Sequence, residues 1–184
     1  MDDCVDLIEK KQFRVMLHPV RQEMLHLLRL RGKPVSANRV AERMQLSPSG
    51  AQSHLRKLVD LGVVAELERT REDGVKLYYY QAKNVKLRLC LGREDAFQGE
   101  REALAANLTD GTFRSLLSTS YRHDEKTMDE YGVLRFGALH MTAEQRAGLV
   151  KLVDQYLDRL GVPQPDAKEH WEYVVMAYRA EGDL

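Results

Sequence analysis

The apolar residues change their period once, at Gly62, and that change limits the folds open to the first half of the chain. Before Gly62 the spacing is helical. Val20, Met24, Leu27 and Leu28 recur at helical intervals, Leu25 and Leu30 widen the stripe, and Gly32 follows Arg29 and Arg31 as a stop signal. Pro19 suits the first turn of this segment. Ser36 is an N-cap candidate for SANRVAERMQL, with Val40, Ala41 and Met44 as its buried side. A brief turn separates it from Ser47-Pro48, which opens a further helix to about Leu61. After Gly62, VVAELER and VKLYYYQA alternate around TREDG, where Asp73-Gly74 supplies the positive φ angles that a tight hairpin requires.

Two short helices joined by a tight connection, with a helix before them and a hairpin after, is the element order of a winged helix: a three-helix core plus a β-hairpin wing. Val5, Leu7, Ile8, Phe13, Met16 and Leu17 predict an amphipathic helix over residues 3–17 as well. NVKLRLCL suggests one more strand, followed by a linker to about residue 98.

The second half reads as helical over residues 99–129, with a break at Asp110-Gly111. GVLRFGALHM reads as a strand. Thr142 and Gln145 have the form of a capping box, opening a helix with Leu149, Leu152, Val153, Tyr156, Leu157 and Leu160 on its buried stripe. Gly161, Pro163 and Pro165 interrupt, and HWEYVVMAYRAE reads as a last strand. The expected fold is mainly α with α+β character. A winged helix-turn-helix domain over residues 1–90 precedes a small α+β module over residues 91–184.

Charge divides along the same line. Lys and Arg balance Asp and Glu at 28 each over the 184 residues, yet residues 1–90 hold 17 basic against 11 acidic side chains and residues 91–184 the reverse, 11 against 17. A half carrying +6 joined to one carrying −6 suggests a nucleic-acid-facing module followed by one that faces something else. Nine of the aromatic residues fall in the second half, enough for a core of its own. No apolar stretch approaches a membrane span, and the acidic opening MDDCVDLIEKK is unlike a secretory signal, so a cytoplasmic protein is expected.

On a helix from Ser47 to Leu61, Ala51, Leu55 and Leu58 share one stripe, while Ser49, Ser53 and Arg56 lie opposite with Gln52 at their flank. Such a face suits the major groove of double-stranded DNA: small hydroxyls permit close approach, Gln can contact adenine in bidentate fashion, and Arg can pair with guanine or phosphate. Arg69, Arg71 and Lys76 around the hairpin add cations for the backbone, moderated by Glu72 and Asp73. The plain alternative is a solvated helix face and a charged surface turn.

The segment LHPVRQEMLHLLRLRGKPVSANRVAERMQLSPSGAQSHLRKLVDLGVVAELERTREDGVKLYYYQA, about residues 17–82, resembles the winged helix of ArsR-type bacterial transcriptional repressors. HPVRQEML stands at the start of the second helix and LSPSGAQSHLRKLVDLGVV at the recognition helix. The resemblance implies a homodimer, built with the N-terminal helix and a helix after the wing, that releases DNA when an effector binds. It assigns DNA reading to Ser47, Ser49, Gln52, Ser53, His54 and Arg56. On the helical wheel His54 lies beside the core stripe, where a packing role is equally open.

Departures from the family limit the effector. VAERMQL lacks the cysteine pair that many metal-sensing relatives carry, and the cluster His123, Asp124, Glu125 and Asp129 reads more readily as a charged turn than as a metal site. No metal or other cofactor is expected. Cys4 and Cys90 offer a redox alternative only if the segments bearing them meet. Tyr131, Phe136, Trp171 and Tyr173 could line a pocket for a small organic effector, although core or interface packing is the commoner fate of such residues. No nucleophile, zinc-protease or phosphate-loop motif suggests an enzyme. The reading is therefore a homodimeric repressor, with a winged-helix protein-interaction module that does not touch DNA as the alternative.

Overall fold

The computed structural model describes residues 4–162, 164 and 166–180. Strand β1 (Cys4–Asp6) precedes helices α1 (Lys10–Met16) and α2 (Pro19–Arg31); a short β2 (Val35–Ser36) leads into α3 (Ala37–Met44) and α4 (Pro48–Leu61). The chain continues through β3 (Val64–Thr70), β4 (Lys76–Ala82), β5 (Lys86–Arg88), α5 (Gln98–Ser120), a single 3₁₀ turn (Met128–Glu130) and α6 (Ala143–Leu160). β3 and β4 form the antiparallel hairpin, with β2 added beside β4. This is the winged-helix order expected from the change of period.

One core holds these elements together. Phe13 and Met16 of α1, Met24 and Leu28 of α2, Val40 and Ala41 of α3, Ala51, Leu55 and Leu58 of α4, and Val64 and Tyr80 of the hairpin are all buried. Positive φ angles at Gly32 and Gly62 let α2 and α4 stop where the next element must turn back.

The N-terminal segment departs from the expected helix over 3–17. Residues Cys4–Asp6 are extended and pair in parallel with β5, Val5 opposite Leu87, and the Arg88 Nε donates to Asp6 Oδ1 at 2.7 Å. Leu7, just after the strand, is buried, and three extended residues are too few for their period of two to stand out against the helical pattern that follows. The helix then begins at Lys10, where Gln12 Oε1 accepts from the amides of Ile8 and Glu9, each at 2.8 Å. Asp3 lies outside the described residues.

Differences are larger in the second half. Helix α5 passes through Asp110-Gly111 without a break and ends at Ser120 rather than 129. One interior glycine costs only about 1 kcal/mol, and Arg114 Nε reaches back to Asp110 Oδ2 at 2.9 Å across the same turn. Neither GVLRFGALHM nor the described part of HWEYVVMAYRAE forms a strand, so the expected β-α-β unit is not present among the described residues. Strand composition alone does not hold a strand: its amides and carbonyls need a neighbour, and neither segment has one. Glu181, Pro163 and Pro165 lie outside the described residues. Helix α6 does start at the Thr142–Gln145 box, with Gln145 N donating to Thr142 Oγ1 at 3.2 Å. Its apolar stripe is not buried: Leu149, Val153 and Leu157 are half-buried, and Leu152, Tyr156 and Leu160 are exposed.

What fastens α5 to the core is a buried arginine. Arg101 is 2% exposed, its Nη1 donates to Asp95 Oδ1 at 2.8 Å, and its guanidinium lies 5.6 Å from the centre of the Phe13 ring. Arg101 beside it, then the backbone amide of Phe97, hold the Asp95 carboxyl well below the usual carboxylate range. Leu104, one turn on, is fully buried, and Phe97 packs 6.1 Å from Phe13. Removing the carboxylate leaves a buried cation without its partner. Asp95→Ala should therefore lower stability, read as a lower urea midpoint; an unchanged midpoint would show that the clasp contributes nothing.

Candidate nucleic-acid interface

Helix α3 is capped by Ser36, whose Oγ accepts from Arg39 N at 3.4 Å, and it ends at Gln45 in the left-handed region with φ of 55°. The chain then needs only Leu46 to reach the next cap: Ser47 Oγ accepts from Gly50 N at 3.1 Å, and Pro48 occupies the first turn. A Cβ on Gly50 would come within 2.9 Å of Ser47 Oγ, so glycine there keeps the cap in place. These features hold α4 at a fixed angle to α3.

The two sides of α4 divide as the wheel predicts. Ala51, Leu55 and Leu58 are buried, while Ser47, Ser49, Ser53 and Arg56 are exposed, with the hydroxyls of Ser47 and Ser49 3.4 Å apart. Lys57, which the wheel reading leaves out, is exposed beside Arg56. Gln52 is half-buried and lies near Tyr80 of the hairpin.

His54 turns the other way. Its ring lies 4.9 Å from that of His18, and its Nδ1 faces Arg21 Nη1 at 3.5 Å. A guanidinium can only donate, so that contact requires an unprotonated Nδ1 on His54. Arg21 itself is buried, donating from Nε to Val15 O at 2.7 Å and from Nη2 to Arg14 O at 2.6 Å. Burial, then the charge of Arg21, pushes His18 below the ordinary histidine value; burial, then His18, does the same to His54. His54 thus has the packing surroundings that its place beside the core stripe allows.

The wing carries its three predicted cations apart from α4. Arg69 lies over the Tyr79 ring at 5.2 Å, Arg71 Nη2 is 3.4 Å from Asp73 Oδ2, and Lys76 Nζ is 2.9 Å from Glu68 Oε1. Gly74, with φ of 80°, makes the turn between them. Two of the three cations therefore bring a carboxylate with them.

The remaining sequence candidates lie elsewhere. His123 stacks on Tyr131 at 3.6 Å, and Asp124 Oδ1 accepts from Thr127 N at 3.0 Å and Thr127 Oγ1 at 2.8 Å, so these side chains build the turn after α5. Among the described residues no three His, Cys, Asp or Glu side chains gather as a metal site. Strand β1, which carries Cys4, pairs with β5, which ends two residues before Cys90, but both thiols are free and contact separate atoms, Asp6 Oδ1 and Arg88 O. Tyr131, Phe136, Trp171 and Tyr173 are about half exposed or more rather than enclosed around a cavity. Among the described residues no helix is long and apolar enough to cross a membrane.

Residues 16–66 match the family model described as a helix-turn-helix domain, a span that runs from the end of α1 to the start of β3. No curated protein matches the sequence. Among solved structures, a possible transcriptional regulator from Methanosarcina mazei Go1 is 13% identical with a TM-score of 0.31, covering 60% of this chain and 78% of its own. MepR, a transcription regulator of the Staphylococcus aureus multidrug efflux pump MepA, is 11% identical with a TM-score of 0.33, covering 80% of this chain and 90% of its own. Both likenesses are slight, and the helix-turn-helix assignment rests on the family match and on the chain's own geometry.

The histidine pair gives the domain a pH dependence of definite sign. Because both imidazoles are depressed in the folded protein, protons bind the unfolded chain more readily; the stability is complete above about pH 6.5 and falls as the pH drops through the depressed values. The urea midpoint should decline between about pH 7 and pH 5.5, and less steeply in His54→Gln. An equal slope in the variant would remove His54 from the effect.

Proposed function

We propose that the protein is a sequence-specific DNA-binding transcriptional regulator, a homodimeric repressor of the ArsR type that responds to a non-metal effector. The observation that carries this reading is the outer face of α4. No acidic residue occurs from Ser47 to Val59, and the exposed side chains of that stretch are hydroxyls near the helix start, then Arg56 and Lys57. Hydroxyls allow the helix to sit deep in the major groove, the helix N-terminus favours phosphate, and the cations contact base edges or backbone. Ser47, Ser49, Gln52, Ser53 and Arg56 are the proposed DNA-contacting residues of α4, with His54 supporting the helix from behind. Arg69, Arg71 and Lys76 are proposed to reach the flanking backbone, Arg71 and Lys76 exchanging carboxylate for phosphate.

In this reading residues 1–90 bind DNA, and residues 91–184 serve dimerisation or the effector. Support for self-association comes from surface area. The chain exposes 14378 Å², whereas a compact monomer of this mass exposes roughly 9,100 Å². Many of the large apolar side chains of the second half are exposed, among them Leu152, Tyr156 and Leu160 on α6. A dimer would set two α4 helices about 34 Å apart and so require a pseudo-palindromic operator. Nothing in the site calls for catalysis.

The test is titration of the purified protein against its own upstream DNA and against a random duplex of equal length, across salt, with its mass in solution recorded. Preferential, salt-sensitive binding by a dimer is expected, and Arg56→Ala should weaken operator binding about tenfold. Failure to retain any duplex at low salt would overturn the reading and favour a protein-docking module.

A further inference from the structure

Residues 167–180 run without a turn or bend, and among the described residues no backbone amide or carbonyl of 168–180 makes a backbone hydrogen bond. Trp171, Tyr173, Val174, Val175, Met176 and Tyr178 are all exposed. Aromatic and β-branched residues at this density suit a pleated strand, and a strand with open edges is a template for another chain. One side chain of the stretch is tied down: Glu172 Oε1 lies 2.6 Å from His26 Nδ1 of α2. The other stretch of strand-like composition, 132–141, is interrupted by Gly137, which weakens a strand.

We propose that residues 168–180 pair with the same residues of a second copy of this chain, antiparallel, across a two-fold axis beside Val174. This rests on the homodimer proposed above and names its interface. A two-fold contact sets one surface against itself, so the segment must be complementary to its own reverse. Centred on Val174, it is: Glu169 of one copy stands opposite Arg179 of the second copy at both ends, with Tyr173 opposite Val175 and Trp171 opposite Ala177. Opposite charges, and aromatic residues facing β-branched ones, are the cross-strand pairs that stabilise a sheet. An axis beside Glu172 would instead set two carboxylates face to face. Arg179 makes no ion pair or hydrogen bond among the described residues, so its charge is open to the second copy. Area agrees with this occupant. The chain exposes about 5,000 Å² more than a compact monomer of its mass, above the roughly 1,000–2,500 Å² that each copy buries in an obligate homodimer. A ribbon of two strands is marginal unless a helix packs against it, and the contact between Glu172 and His26 brings α2 to each strand.

The experiment compares the full-length protein as wild type, Glu169→Arg, Arg179→Glu and the double variant, with mass in solution followed by sedimentation across concentration. Each single reversal sets like charges opposite one another at both ends and should weaken self-association about tenfold; the double variant restores opposite signs and should recover it. Both positions are exposed, and recovery in the double variant separates a lost pair from a lost fold. Cysteines read the register, in a Cys4→Ser, Cys90→Ser background. With Val174→Cys the two copies meet at the axis about 5 Å apart between Cα atoms, within disulfide reach, whereas with Val175→Cys they are roughly 8 Å apart and beyond it. Oxidation to a covalent dimer is therefore expected for Val174→Cys alone. A wild-type dimer that neither reversal weakens, or that gives no covalent link at position 174, would overturn this interface and leave the homodimer standing on another face. A wild type that stays monomeric at every concentration would overturn both the interface and the homodimer reading.

Discussion

The packing of this domain depends on how a seven-residue helix is held in place. Helix α1 is too short to be stable alone, and two buried arginines contact it. Arg21 takes the carbonyls of Arg14 and Val15 at its C-terminal end, where the helix leaves acceptors unpaired. Arg101 lies over Phe13 and is neutralised by Asp95. With α1 fixed, Phe13 and Met16 close the core beneath α2 and α4, and the second half of the chain is joined to the first through α5. Arg21 also faces His54, so the contact that caps α1 supports the back of α4.

The cations therefore work in two populations. Those inside the protein are matched by carbonyls or a carboxylate, as burial of charge requires. Those at the surface are graded: Arg56 and Lys57 stand on a stretch without acidic residues, whereas Arg71 and Lys76 in the wing are already paired. Exposed pairs of this kind are worth little and are weakened by salt, so exchanging them for phosphate costs little.

Much of the helix-turn-helix was legible because its signals are local. Ser36, Ser47-Pro48, Gly62 and Asp73-Gly74 act through their own backbone angles and hydrogen bonds, and the structure places an element boundary or turn at each. The outward placing of Ser49, Ser53 and Arg56 followed from helix geometry alone. What escaped depends on distant partners. Nothing in the sequence singles out Arg21 or Arg101, because arginine is almost never fully buried unless paired and only the fold brings their acceptors to them. The strand at Cys4–Asp6 needs β5. The opposite error has the same cause: residues 132–141 and 170–180 have the composition of strands, yet pairing is a property of two segments and not of one.

The parallel pairing of β1 with β5 joins positions more than 80 residues apart, with the whole helix-turn-helix and wing enclosed between them. Ordering so long a loop costs entropy that three short residue pairs return only after the intervening elements have already brought the ends together. The two strands must then be among the last contacts to form as the chain folds, while α2, α3, α4 and the hairpin, made of near neighbours in sequence, form early. By the same reasoning they are among the first to open. Since β5 leads directly toward α5, fluctuations at the far end of the chain have a short path to the base of the wing, and one that leaves the helix-turn-helix itself intact.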